Sequence, residues 1–234
     1  MNDDRPAGIN VQDFVTSVKN TAVQVITDPM GFFRYMQRGG GYVEPLLFMV
    51  VMGVISGILQ TLLGIVGLGV SGTLFVVGAS IILVPIFVAI FGFVGAGIVF
   101  LIWKFLGSQQ TFECAYRCIA FSGAISPVTT VLNVIPYIGP VIGIGWMTFL
   151  MVVASVEVHD VTPRMAWTVF GILAAVLIIG SLSSQMTARK YATQFDKLEK
   201  EVGKINEMSP EEAGKKMGEF LKGMQEGMGK RGQQ

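Results

Sequence analysis

The sequence predicts an all-α fold: a polytopic membrane helical bundle of about five transmembrane helices, with amphipathic helices at both ends. Three observations carry this. The 234 residues are 52% hydrophobic and 14% charged, outside the range of soluble domains. Between Pro45 and Thr187 the charged side chains are Lys104, Glu113, Arg117, Glu157, Asp160 and Arg164, and the rest crowd into the two ends. The apolar stretches between these charges reach the roughly 20 residues that cross a hydrocarbon core at 1.5 Å per residue. The chain therefore divides into a polar N-terminal arm (1–44), a transmembrane domain (45–187) and a charged helical tail (188–234). A formal net charge of +1 gives no pull toward nucleic acid, and none is expected as a partner.

In the arm, Val11, Phe14, Val15, Val18, Ala22, Val25 and Ile26 recur at helical spacing, with Asp13, Lys19, Asn20 and Gln24 on other faces. Asp28-Pro29 ends that helix, because a residue before proline is pushed out of the α region. Phe32, Phe33 and Tyr35 beside Arg34 and Arg38 suit the headgroup layer, and Gly39 to Gly41 read as flexible punctuation. The polar start "MNDDRPAGIN" does not resemble a cleaved signal, so insertion is expected to rely on the first span.

Span one is predicted at 45–69. The charge-free run that follows is too long for one upright helix, so span two is placed at 81–105, with "GVSGTLFVVGAS" as a glycine-rich turn and half-buried approach. Spans three, four and five are predicted at 112–133, 138–157 and 164–186, with "NVIPYIGP" and "EVHDVTPR" between them. Arg34, Arg38, Lys104, Arg117 and Arg164 then flank alternate turns, which puts the N-terminus in the cytoplasm by the positive-inside rule. The tail follows outside, although Arg189 and Lys190 directly after span five favour the inside. Tyr191, Phe195, Leu198, Val202 and Ile205 form a heptad seam, a candidate contact face, and "SPEE" at 209–212 signals a further helix start.

Candidate sites are few. Glu113 and Arg117 stand four apart at the mouth of span three, spaced for an i, i+4 ion pair. Glu157, His159, Asp160 and Arg164 cluster in the turn after span four, where Thr162-Pro163 also suits a helix start. Gly53 and Gly57, like Gly139 and Gly143, are spaced for close helix packing, within the bundle or across a homo-oligomer. Cys114 and Cys118 read as free thiols, and with one histidine in the chain they offer too few ligands for an expected metal site. No cofactor is expected. Nor can a Ser/His/Asp set or a pair of intramembrane carboxylates be assembled, so an enzyme is not expected.

Several features, in order, resemble the Yip family of Ypt-interacting membrane proteins in its prokaryotic form, over roughly residues 28–180. They are Asp28-Pro29 and Phe32-Phe33 before a glycine-rich approach, Pro45 opening span one, and Arg117 followed by an aromatic and Pro127. "IPYIG" and "VHDVTPRMA" complete the set. The resemblance implies a five-helix membrane domain with a cytoplasmic N-terminal arm. Eukaryotic members bind Rab-type GTPases in vesicle trafficking; where they carry Asp-Leu-Tyr-Gly-Pro, this chain has "GGGYVEPL". The expected function is that of a non-enzymatic integral membrane adaptor or membrane-organising protein. Membrane lipids and an unknown protein reached through the terminal helices are the expected partners, in the inner membrane if the cell is prokaryotic. The alternative, a small solute transporter or channel, would use Gln60, Ser126, Thr129, Thr130 and Asn133.

Overall fold

The structure, a computed structural model, describes residues 11–68 and 74–206 together with Gly218. Every regular element among them is helical. The chain forms two compact units, Met1–Ser181 and Leu182–Gln234.

Helix α1 (Val11–Thr27) is amphipathic, and Asp28 both ends it and opens α2 (Pro29–Tyr35), accepting a hydrogen bond from the Gly31 N–H at 2.9 Å. A side chain at Gly31 would run into that carboxylate. The apolar face of α1 lies against protein: Val18 and Val25 are buried and Phe14, Ala22 and Ile26 pack on the main core.

Two long helices follow, α3 (Val43–Ile65) and α4 (Leu74–Phe105). The approach expected to be a turn is already helical from Leu74, so α4 has 32 residues and extends roughly 48 Å. It carries Pro85 inside, facing Gly53 of α3, where an added Cβ would lie 2.9 Å from the proline Cα. Gly53 thus lets α3 and α4 approach within the bundle.

The third predicted span is a segmented helical path: α5 (Phe112–Ser122), a 3-10 turn (Gly123–Ile125) and α6 (Ser126–Leu132). Pro127 explains the break. It has no N–H to offer the carbonyl four residues back, Gly123 O, and its ring crowds that oxygen. The chain tightens instead, and the Ser126 N–H takes Gly123 O in an i→i+3 bond. Tyr137, with φ of 65°, then reverses the chain into α7 (Ile138–Glu157). A side chain at Gly139 would collide with the Leu132 carbonyl, and one at Gly143 would press on Thr129, so this glycine pair seats α7 on α6.

Helix α8 runs Pro163–Asn206, proline in its first turn as expected. Tyr191 is exposed on it; Phe195, Leu198, Val202 and Ile205 extend the same helix, and the helix start at 209–212 lies outside the described residues.

Among the described residues, four helices are long and apolar enough to cross a membrane: Val43–Ile65, Ile82–Phe105, Ile138–Glu157 and Pro163–Ala188. With the segmented α5–α6 path they give the five passes of an all-α polytopic bundle. Contacts between distant parts of the chain fix their alternation. Residues 41–44, 108, 113–117 and 157–159 are bonded together at one end, while Gln60, Leu68, Asn133 and Pro136 share a cleft at the other. The first end holds the charged turns; the turns of the second carry no charged residue, and Arg189 and Lys190 follow where the fifth pass emerges there.

Candidate functional site

Arg117 is the hub of the charged end. It sits on α5, 2% exposed, yet each of its three side-chain nitrogens donates a hydrogen bond. Its Nε donates to Gln37 O (2.8 Å), one terminal nitrogen to Gly41 O (3.2 Å) and the other to the Glu44 carboxylate (2.8 Å). The Phe121 ring lies 5.5 Å from its guanidinium carbon. A buried guanidinium needs acceptors around its rim, and two backbone carbonyls and a carboxylate supply them.

Glu113 was expected to close on Arg117 as an i, i+4 pair, but it accepts from the Gly41 N–H at 2.6 Å. Both side chains instead hold the strap between α2 and α3. The strap can make this turn because Gly40 (φ 122°) and Gly41 (φ 91°) occupy left-handed backbone that other residues resist. Gly39 to Gly41 are therefore a fitted loop around the pair.

The second ion pair ties α2 to α7: Arg34 donates through Nε (2.8 Å) and a terminal nitrogen (3.0 Å) to the two Glu157 oxygens. Glu157 holds Arg34 above its ordinary value, and the fork-to-fork geometry fixes the orientation of α2. Arg38 reaches the Glu157 carbonyl at 3.5 Å. The arm is thus fastened to the bundle twice.

Behind Glu157 the chain turns inward. Asp160, exposed with φ of 55°, reverses it, and the His159 ring is buried and stacked on Trp103 of α4 (centroids 3.7 Å, planes 17° apart). His159 Nδ1 meets Ser108 Oγ at 2.8 Å, and Nε2 faces Cys118 Sγ at 3.9 Å. Trp103 Nε1–H donates to Ser155 Oγ (2.8 Å). Burial first, then the neighbouring cations Arg38 and Lys104, push the imidazole down to about 3, so it is neutral at physiological pH.

Of the residues singled out in the sequence, Glu113, Arg117, Glu157 and His159 meet at this junction, and Cys114 and Cys118 join them. Asp160 and Arg164 are exposed at its edge. Sequence reasoning missed Glu44, the strap carbonyls, Trp103, Ser108 and Ser155, which carry no local signal; the three consecutive glycines were the one usable clue.

The order of these features along the chain matches a known pattern. A family model described as the Yip1 domain matches residues 23–184, well over half of the chain. The chain belongs to the Yip1 domain family. No curated protein and no solved structure matches it. Within the Yip1 domain of this chain, the match starts inside α1, so the clamped arm is part of the family unit and not an appendage. At the uncharged end of the domain, Gln60, Thr130 and Asn133 line one cleft, and Ser126, Thr129 and Asn133 line another beside α7. Neither is lined by a residue of the charged junction. Between the two ends lie the buried side chains Phe48, Met52, Phe121, Ile125 and Leu150.

Proposed function

We propose that this Yip1-domain membrane protein is a non-enzymatic adaptor or membrane-organising protein that acts through lipid and protein contacts. One observation supports this reading most: buried Arg117 and the part-buried Glu113 and Glu157 are all engaged in fastening the N-terminal arm to the bundle. The charged end, taken as cytoplasmic because Arg34, Arg38, Lys104 and Arg164 gather there, presents an aromatic and cationic rim. Tyr35 is 81% and Phe105 90% exposed on that rim, placed for headgroup and partner contact. In a prokaryotic cell the host bilayer is the inner membrane. The heptad seam that begins at exposed Tyr191 is the second proposed contact face.

Enzymatic chemistry finds little support. The Ser108–His159 contact pairs a hydroxyl with a base, but both are buried and the second ring nitrogen faces a thiol.

A transporter reading has one observation in its favour, the convergence of Gln60, Thr130 and Asn133 on a cleft. The apolar layer between that cleft and the charged junction argues against a continuous path. Photo-cross-linkers at Tyr35, Phe105 and Tyr191 in intact cells, together with solute flux in proteoliposomes, separate the readings. Discrete lipid or protein adducts without flux support the adaptor. Saturable flux lost on Gln60→Leu or Asn133→Leu replaces it with the transporter.

A further inference from the structure

The sequence keeps Cys114 and Cys118 forty residues away from the chain's single histidine, and the fold brings all three together. Their ligand atoms, two Sγ and one imidazole nitrogen, lie within 4.8 Å of one another, and all three residues are buried. We infer that Cys114, Cys118 and His159 form a binding site for one thiophilic divalent metal ion, zinc in the cell.

Four features support it beyond proximity. First, the cysteines stand one helical turn apart on α5, so their side chains rise from one face, as chelating pairs on helices do. Second, the histidine is already aimed. Ser108 Oγ lies 2.8 Å from Nδ1; in the tautomer whose Nδ1–H donates to it, the Nε2 lone pair faces Cys118 Sγ, and the stacked Trp103 fixes the ring plane. A hydrogen-bonded partner on the far nitrogen is the usual support of a metal-bound histidine. Third, the distances are close to those needed. Zinc–sulfur bonds of about 2.3 Å and zinc–nitrogen bonds of about 2.0–2.1 Å in tetrahedral geometry set S···N near 3.5 Å. The Cys118–His159 separation is 3.9 Å, and modest side-chain rotation closes the rest.

Fourth, charge balances. Binding releases two thiol protons to solvent, and a dication with two thiolates and a neutral imidazole is electrically neutral, which suits a buried site. The ion would pin α5 to the turn between α7 and α8, behind the arm's two ion pairs. Three protein ligands leave a fourth position for water.

The test uses the full, tag-free chain in detergent, reduced, stripped with chelator and titrated with Co²⁺. Because the chain has two cysteines and one histidine, any thiolate-to-cobalt band reports on these residues alone. The expected result is one equivalent bound with an intense charge-transfer band, displaced by Zn²⁺. Cys118→Ser should abolish tight binding, and Ser108→Ala should weaken it about 10–100-fold by freeing the ring. X-ray absorption of the zinc-loaded wild type needs no variant to fold, and should show two sulfur neighbours at about 2.3 Å and nitrogen at about 2.0–2.1 Å. Absence of the band in fully reduced wild type overturns the site. So does one metal per two chains, or a zinc shell without sulfur.

Discussion

Replacing Arg117 by methionine removes the hub while keeping its bulk. The guanidinium is 2% exposed and bonded to Gln37 O, Gly41 O and Glu44, whereas Glu44 is 64% exposed. The two ends of this ion pair should therefore respond unequally. Loss of Glu44 leaves a solvated neighbourhood and an arginine still held by two carbonyls, so Glu44→Gln should cost less than about 1 kcal/mol. Loss of Arg117 removes three charge-assisted hydrogen bonds at once, each worth about 1.5–3 kcal/mol alone, so about 3–5 kcal/mol together, since such terms do not simply add. For a chain of this size each kcal/mol moves the thermal midpoint by roughly 2–4 °C. Arg117→Met should thus melt about 6–20 °C lower, and Glu44→Gln no more than about 4 °C lower. Arg117→Lys should fall between, since an ammonium lacks the planar fork that spans three acceptors. The buried thiols of Cys114 and Cys118 make a direct assay: their reaction with a maleimide dye on heating reports opening of the charged end. Equal shifts for Glu44→Gln and Arg117→Met would refute the reasoning, because they would place the stabilisation in the ion pair and not in the strap carbonyls.

Three further outcomes follow from the same contacts. Tyr116 is fully buried, stacked on Phe93 at 4.1 Å, and its hydroxyl has no hydrogen-bond partner among the described residues; Tyr116→Phe should stabilise the fold by up to about 1–3 kcal/mol and so raise the melting midpoint, and a lower midpoint would reveal a bound partner. Gly53 meets Pro85 across α3 and α4, so Gly53→Val should destabilise by about 1–3 kcal/mol or more, while Gly95→Ala, open on its Cβ side, should not; equal effects would contradict the packing. His159 is about 3 when folded and 6.5 when unfolded, so unfolding takes up a proton between those values and stability falls as pH drops. In chelator-treated protein the loss should approach about 1.4 kcal/mol per pH unit below 6, read from tryptophan fluorescence melts, and a flat profile from pH 7 to 5 would place the ring in water.

The membrane bundle was legible because lipid leaves a strong imprint: long apolar stretches, charges confined to alternate turns, and proline or glycine at the turns. Local rules also found the Asp28 cap before Pro29 and the helix start at Pro163. What escaped the sequence was settled by distant neighbours. Glu113 and Arg117 obeyed helical spacing, yet a buried guanidinium takes the acceptors that surround it, and these came from a strap over seventy residues earlier in the chain. Span two stands close to where it was read, at Ile82–Phe105, but its helix begins earlier, at Leu74, within the stretch whose glycines and serines read as a turn and approach. His159 looked like a solvated turn residue until the Asp160 reversal carried its ring onto Trp103.

The central claim, five membrane passes that gather the charged turns on one face, is tested most directly by accessibility in intact cells. Cysteines introduced at Gln109 and at Ile135, both exposed in turns at opposite ends, are treated with a membrane-impermeant maleimide, with the buried native thiols as the silent background. Residue 135 should label from outside and residue 109 only after the membrane is opened. Labelling of both from the same side would contradict the five-pass bundle.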